Sequence, residues 1–140
     1  MSRADKISPK AKIPEYFSDF HISLNTNPLT GQLAKVVNEE AVKQAITNLV
    51  LTDKSERPYQ PHLGSDVKRS LFDLMDDPLT MSNIEDSIRD CISQNEHRAE
   101  VVNVEVIASP DYNAYTVNVL FSLNNITEIF TASINISRIR

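Results

Sequence analysis

The chain has 140 residues, 41% hydrophobic and 24% charged. That is the make-up of one soluble globular unit, able to bury roughly two-thirds of its unfolded surface. Lys and Arg number 14 against 19 Asp and Glu, and the net charge of −5 argues against general binding to nucleic acid or an anionic membrane. The single cysteine, Cys91, excludes an intramolecular disulfide and a multi-cysteine zinc site. Two glycines and no Trp leave no material for a Gly-rich phosphate loop. No apolar run approaches the ~18–20 residues of a membrane span, and none follows the basic N-terminus as a signal peptide would. A soluble protein made in the cytoplasm is the expectation.

Met1–Pro14 carries Arg3, Lys6, Lys10 and Lys12 with two prolines, and reads as a flexible basic tail ahead of one domain over residues 15–140. Tyr16–Leu24 partly alternates, with Phe20, Ile22 and Leu24 on one face, which predicts a first strand. Asn25–Lys35 has the turn signals of a loop. Asn38 is placed as the N-cap of a helix whose first turn holds Glu39 and Glu40. Val42, Ala45, Ile46 and Leu49 give that helix one apolar stripe, and it should end near Val50, ahead of Pro58 and Pro61. A second helix is predicted after Gly64, capped by Ser65 and carrying Val67, Leu71, Leu74 and Met75 up to Asp76-Asp77-Pro78. A third, capped by Thr80, carries Ile84, Ile88, Cys91 and Ile92 and fades near Asn95.

Past Glu100 the period changes from 3.6 to 2. Val102, Val104 and Val106 alternate with polar residues, and the turn Ser109–Asn113 follows. Tyr115, Val117, Val119, Phe121 and Leu123 share a face; Asn124-Asn125 suits a two-residue hairpin turn. Phe130, Ala132, Ile134 and Ile136 share the face of the last strand. The fold class is α+β: three helices on one face of a small, mainly antiparallel sheet ending in a C-terminal β-meander. From Thr131 to Ser137 the last strand has no charge, and Arg138 and Arg140 come only after it. Either it sits inside the sheet, or its free edge receives a strand from a partner.

Catalytic chemistry finds little footing. Cys91 lies on an apolar stripe, where a thiol is structural, and His21, His62 and His97 are isolated, without metal-ligand spacing. Asp73, Asp76, Asp77, Glu85, Asp86 and Asp90 fall on polar faces beside Lys68, Arg69 and Arg89, as solvated helix surfaces do. Two segments stand out instead. Glu56-Arg57-Pro58-Tyr59-Gln60-Pro61 is a proline-bounded loop whose Arg57 and Tyr59 can cover or hydrogen-bond neighbouring elements. Glu96-His97-Arg98, at the helix-to-sheet junction, forms either a local ion pair or a charged pair turned to another protein.

From about Val36 onward the chain resembles the baseplate wedge and sheath-initiator family of contractile injection machines. The features that carry the resemblance are the helix AVKQAITNLVLT, the loop SERPYQPHLGSDV, and LFDLM followed by PLT. The loop contributes Glu56, Arg57, Pro58, Tyr59, Pro61 and Gly64. The family's Glu-Pro-Arg motif, which contacts the helical core bundle of neighbouring wedge proteins, aligns with Glu96, His97 and Arg98, where histidine replaces proline. The resemblance implies that the terminal strands accept strands from the first ring of tail sheath protein, placing Thr127, Ile129, Thr131, Ser133, Asn135 and Ser137 at that contact. It further implies wedge and sheath proteins as partners, several copies arranged in a ring by assembly, and a place in the virion tail baseplate put together in the host cytoplasm. No catalytic residue, metal or cofactor is implied. A type VI secretion baseplate component is the nearest alternative, and a peptidoglycan-cleaving enzyme the alternative of another class.

Overall fold

The computed structural model describes residues 16–72, 77–124 and 126–137. The basic segment 1–14 lies outside them, as do Asp73, Leu74, Met75, Asp76, Asn125, Arg138 and Arg140. Among the described residues no helix is long and apolar enough to cross a membrane.

The chain opens with a small ribbon, β1 (Ser18–Phe20) antiparallel to β2 (Lys35–Val37). This corrects the expected strand over Tyr16–Leu24 and the loop reading of Lys35. Phe20, Ile22 and Leu24, expected to share a strand face, are all exposed, and Leu24 turns at φ 51°. Two strands of three residues are too short to carry a core of their own, and amide side chains tie the ribbon down instead. Gln44 donates its amide to Phe20 O at 2.8 Å and accepts the Ile22 N–H at 3.0 Å, replacing a strand partner.

Helix α1 (Glu39–Leu51) buries Ala41, Val42, Ile46, Leu49 and Val50. Asn38 stands at its N-cap position, but its Oδ1 accepts the backbone N–H of Tyr16 at 2.9 Å and of Phe17 at 3.4 Å rather than a helical N–H. Its φ of 49° suits asparagine better than a β-branched residue. The expected second helix is one turn, α2 (Val67–Ser70), with Asp66 rather than Ser65 at its N-cap. Ser65 is buried and donates its hydroxyl to Val50 O at 2.6 Å. Helix α3 (Pro78–Asn95) starts earlier than Thr80. Asp77 accepts the Leu79 N–H at 3.1 Å and Pro78 takes the first position, leaving Thr80 buried in the first turn. Proline at that position gives up only an N–H the helix would not use.

The main sheet is the meander β3 (Ala99–Ser109), β4 (Ala114–Leu123) and β5 (Ile126–Ser137), with β4 central. A 3₁₀ turn over Pro110–Tyr112 and a left-handed Asn113 link the first pair. Val104 and Val106 point into the core as expected, but Val102 is 48% exposed. A bulge between Val101 and Asn103 breaks the alternation there. Tyr115, Val117, Val119, Phe121 and Leu123 of β4 meet Ala132, Ile134 and Ile136 of β5 and the apolar stripes of α1 and α3. Each large side chain so buried contributes roughly 1.5–3 kcal/mol. Helix α3 packs on β3, and α1 packs on α3 and β5, so the helices cover one face of the meander.

Candidate interaction site

The meander has two edges, and alternation settles which backbone groups each presents. Val106 of β3 donates its N–H to Glu85 Oε1 of α3 at 3.2 Å, so that group points away from β4. Its opposite residue, Val117, then turns its N–H and C=O toward β5, and Ile134 opposite Val117 is bonded to β4. Thr131, Ser133, Asn135 and Ser137 therefore carry N–H and C=O at the outer edge of β5. Among the described residues, β5 pairs with β4 alone, and no backbone hydrogen bond from outside the sheet reaches it. Of the two readings left open by the sequence, the edge position holds. Ile129 lies in the same series and is 60% exposed. Thr127 does not, because the ladder steps from Leu123–Ile126 to Ser122–Ile129 and leaves Thr127 and Glu128 in a bulge.

At the other end of the strands, Glu96, His97 and Arg98 turn the chain from α3 into β3. Glu96 is 6% exposed and closes the helix with its N–H on Ile92 O. Arg98 grips it with a two-pronged bond, Nε to Oε1 at 2.7 Å and Nη2 to Oε2 at 2.6 Å. Burial pushes the Glu96 carboxyl upward, but these bonds outweigh it and hold Glu96 below the ordinary carboxylate value. Glu96 in turn raises Arg98. The guanidinium also lies 5.6 Å from the centre of the Phe17 ring, tying the N-terminal ribbon to this corner. His97 is exposed, and its carbonyl accepts the Asn124 side-chain amide at 2.8 Å. That bond restrains the backbone where a proline ring would have fixed φ. The charged pair is thus an internal ion pair, with part of Arg98 and all of the His97 ring left at the surface.

The proline loop has a closed neck and an open tip. Ser65 N–H reaches Thr52 O at 2.8 Å, and Ser55 N–H reaches Pro61 O at 2.9 Å. Lys54 pairs with Asp66, and Lys68 lies 3.4 Å from Asp53 and 4.0 Å from Glu56. Gly64 has φ 122°, and a Cβ there would sit 2.5 Å from Thr52 O, so only glycine fits the neck. At the tip, Arg57 O accepts the Gln60 N–H at 3.2 Å across Pro58 and Tyr59. Arg57 and Tyr59 do not cover a neighbour: both are exposed, Tyr59 at 98%.

Other polar residues have local tasks. Asp77 caps α3, Glu85 occupies the β3 edge, and Asp86 and Asp90 face outward. His21 Nδ1 lies 2.7 Å from Ser23 Oγ, and His62 is exposed. Cys91 is buried, and burial raises its thiol. Among the described residues no three His, Cys, Asp or Glu side chains are grouped as metal ligands. Phe17, Gln44 and Glu85 were not found as position-setting residues by sequence reasoning, and Asn38 only as a helix cap, because their partners lie at least 21 positions away along the chain.

These features define a small α+β domain with a rigid corner, a stiff exposed loop and a sheet whose β5 edge is open among the described residues. The family model described as "Baseplate wedge protein gp25" matches residues 36–126, and the chain belongs to that family. It is a baseplate wedge-like protein of contractile phage tails or related systems. The baseplate wedge protein gp25 of Enterobacteria phage T4 is 28% identical over 115 residues, covering 81% of this chain and 84% of that one. A subunit in the anti-feeding prophage baseplate structure shares the fold, with a TM-score of 0.66 and 22% identity, over 80% of this chain and 89% of that one. A candidate tail lysozyme from Geobacter sulfurreducens does so at a TM-score of 0.65 and 16% identity, over 73% and 92%.

Proposed function

We propose that the chain is a structural component of a contractile tail baseplate, held on the wedge at Glu96–Arg98 and offering β5 to a strand of the tail sheath protein. The observation that supports this most is the outer edge of β5. Four alternate residues, Thr131, Ser133, Asn135 and Ser137, present backbone donors and acceptors with no charge among them and no cover from the described residues. A strand added there would gain main-chain hydrogen bonds, while side chains set its register. Several copies held in a ring by their wedge partners would act together, so each contact need only be modest. Glu96–Arg98 holds the β3 corner rigid, and the loop tip at Arg57–Tyr59 offers a second attachment to the wedge. The action is positional rather than chemical, in a virion tail baseplate assembled in the host cytoplasm. A type VI secretion baseplate would use the same surfaces, and the genes beside this one decide between the two.

Amide exchange tests the proposal. Adding purified tail sheath protein should slow exchange at Thr131, Ser133 and Asn135 by at least about tenfold, as new ladder bonds of 1–2 kcal/mol require. Unchanged exchange under conditions where the two proteins bind would exclude strand addition at β5. A lytic band in a peptidoglycan zymogram, lost on replacing a single carboxylate, would replace the structural reading with an enzymatic one.

A further inference from the structure

The two edges of one meander are treated differently, and the difference has a chemical cause. On β3 the outward N–H of Val106 is occupied by a carboxylate from the helix that packs on that strand. The bulge at Val101–Asn103 twists the same edge, and Glu100 and Glu105 add exposed charge along it. Carboxylates, charge and bulges are the devices that keep a strand edge from pairing. On β5 the corresponding stretch has none of them.

We infer that Glu85 is a gatekeeper of the β3 edge: by occupying the Val106 N–H it denies that edge to incoming strands and confines strand addition to β5. This rests on the strand-addition reading of β5, and it makes addition one-sided. A sheet open at both edges would join copies head to tail into open chains. A sheet open at one edge takes a single strand and then stops. The carboxylate is well suited to the task. It satisfies the central outward donor without entering the ladder, and it is carried on a helix rather than on a loop that moves aside.

The test uses the full chain with a photo-crosslinking side chain at Ile107, on β3, or at Ser133, on β5. The probe is a synthetic peptide of residues 129–137, the uncharged, regularly paired part of β5. The wild-type background should give product from Ser133 and little from Ile107. Glu85→Ala should raise the Ile107 product on the order of tenfold, the factor expected when a charge-assisted bond no longer competes. Glu85→Gln keeps an acceptor and should stay near wild type. The Val106 amide should exchange faster in Glu85→Ala alone, and circular dichroism melts verify that each variant is folded. Equal Ile107 product in the wild-type and Glu85→Ala backgrounds would overturn the gatekeeper role. Gain at Ile107 in Glu85→Ala upholds that role whatever happens at Ser133. Absence of Ser133 product in every background would instead overturn strand addition at β5.

Discussion

The strands β3 and β5 flank the same central strand, yet they end the sheet in opposite ways. The β3 edge carries a bulge, two exposed glutamates and the Glu85 carboxylate on the Val106 N–H. The outer edge of β5 presents Thr, Ser and Asn with their backbone groups outward and no charge from Thr131 to Ser137. The difference is not one of burial, since both strands bury their inward residues against the helices. It teaches that exposure at a sheet edge is managed residue by residue. Beside the bare edge of β5, the β3 edge has one outward donor taken by a carboxylate.

The comparison can be strained from either side. Ile134→Ala should cost the most, roughly 2–5 kcal/mol in urea unfolding, because Ile134 is buried within the shared core. It would show that β5 supports the fold with one face while its edge stays open. Removing all of β5 would therefore destroy the domain rather than isolate the edge.

Arg98→Ala acts at the root of β3 and should cost about 2 kcal/mol, less than a fully enclosed pair because Arg98 is itself partly exposed. The pH dependence carries a sign. Glu96 titrates lower in the folded chain than in the unfolded one, so at intermediate acid pH the unfolded state holds more protons. Its contribution is complete above the ordinary carboxylate value and is lost as pH falls through the folded value. Denaturation midpoints measured from neutral to acid pH should fall less steeply in Arg98→Ala than in the wild type. Glu85→Ala should cost about 1 kcal/mol, and Glu85→Gln less, in the same unfolding measurement. Asn135→Lys should change stability by less than about 0.5 kcal/mol, because the side chain is exposed, while placing a charge on the bare edge.

The long periodic elements were legible in the sequence because side-chain period reports burial directly. The alternation from Tyr115 to Leu123 and the Ile84, Ile88, Ile92 stripe are found in the core where expected. Short elements were not legible. The β1–β2 ribbon depends on Gln44 and Asn38, whose amides stand in for strand and cap partners across more than 20 positions. The start of α3 was misplaced because Thr80 competes as a cap with Asp77, and the Pro78 beside Asp77 decides it. Val102 fits the alternating pattern perfectly and still faces outward, since a bulge leaves no mark in hydropathy. In the candidate site, the neutral run of β5 and the Glu96–Arg98 pair were visible. The cover on β3 was not, because Glu85 reads as one more carboxylate on a polar helix face until α3 is laid on the sheet.

Asn135→Pro tests the central claim most directly. The Asn135 N–H faces outward, so proline removes a donor from the free edge without breaking the ladder to β4. Sheath protein polymerisation would be followed by light scattering and electron microscopy with wedge proteins present, seeded by wild type, Asn135→Pro or Asn135→Ala. Wild type and Asn135→Ala should shorten the lag, and a folded Asn135→Pro should not. Equal seeding by all three would contradict the role of the β5 edge.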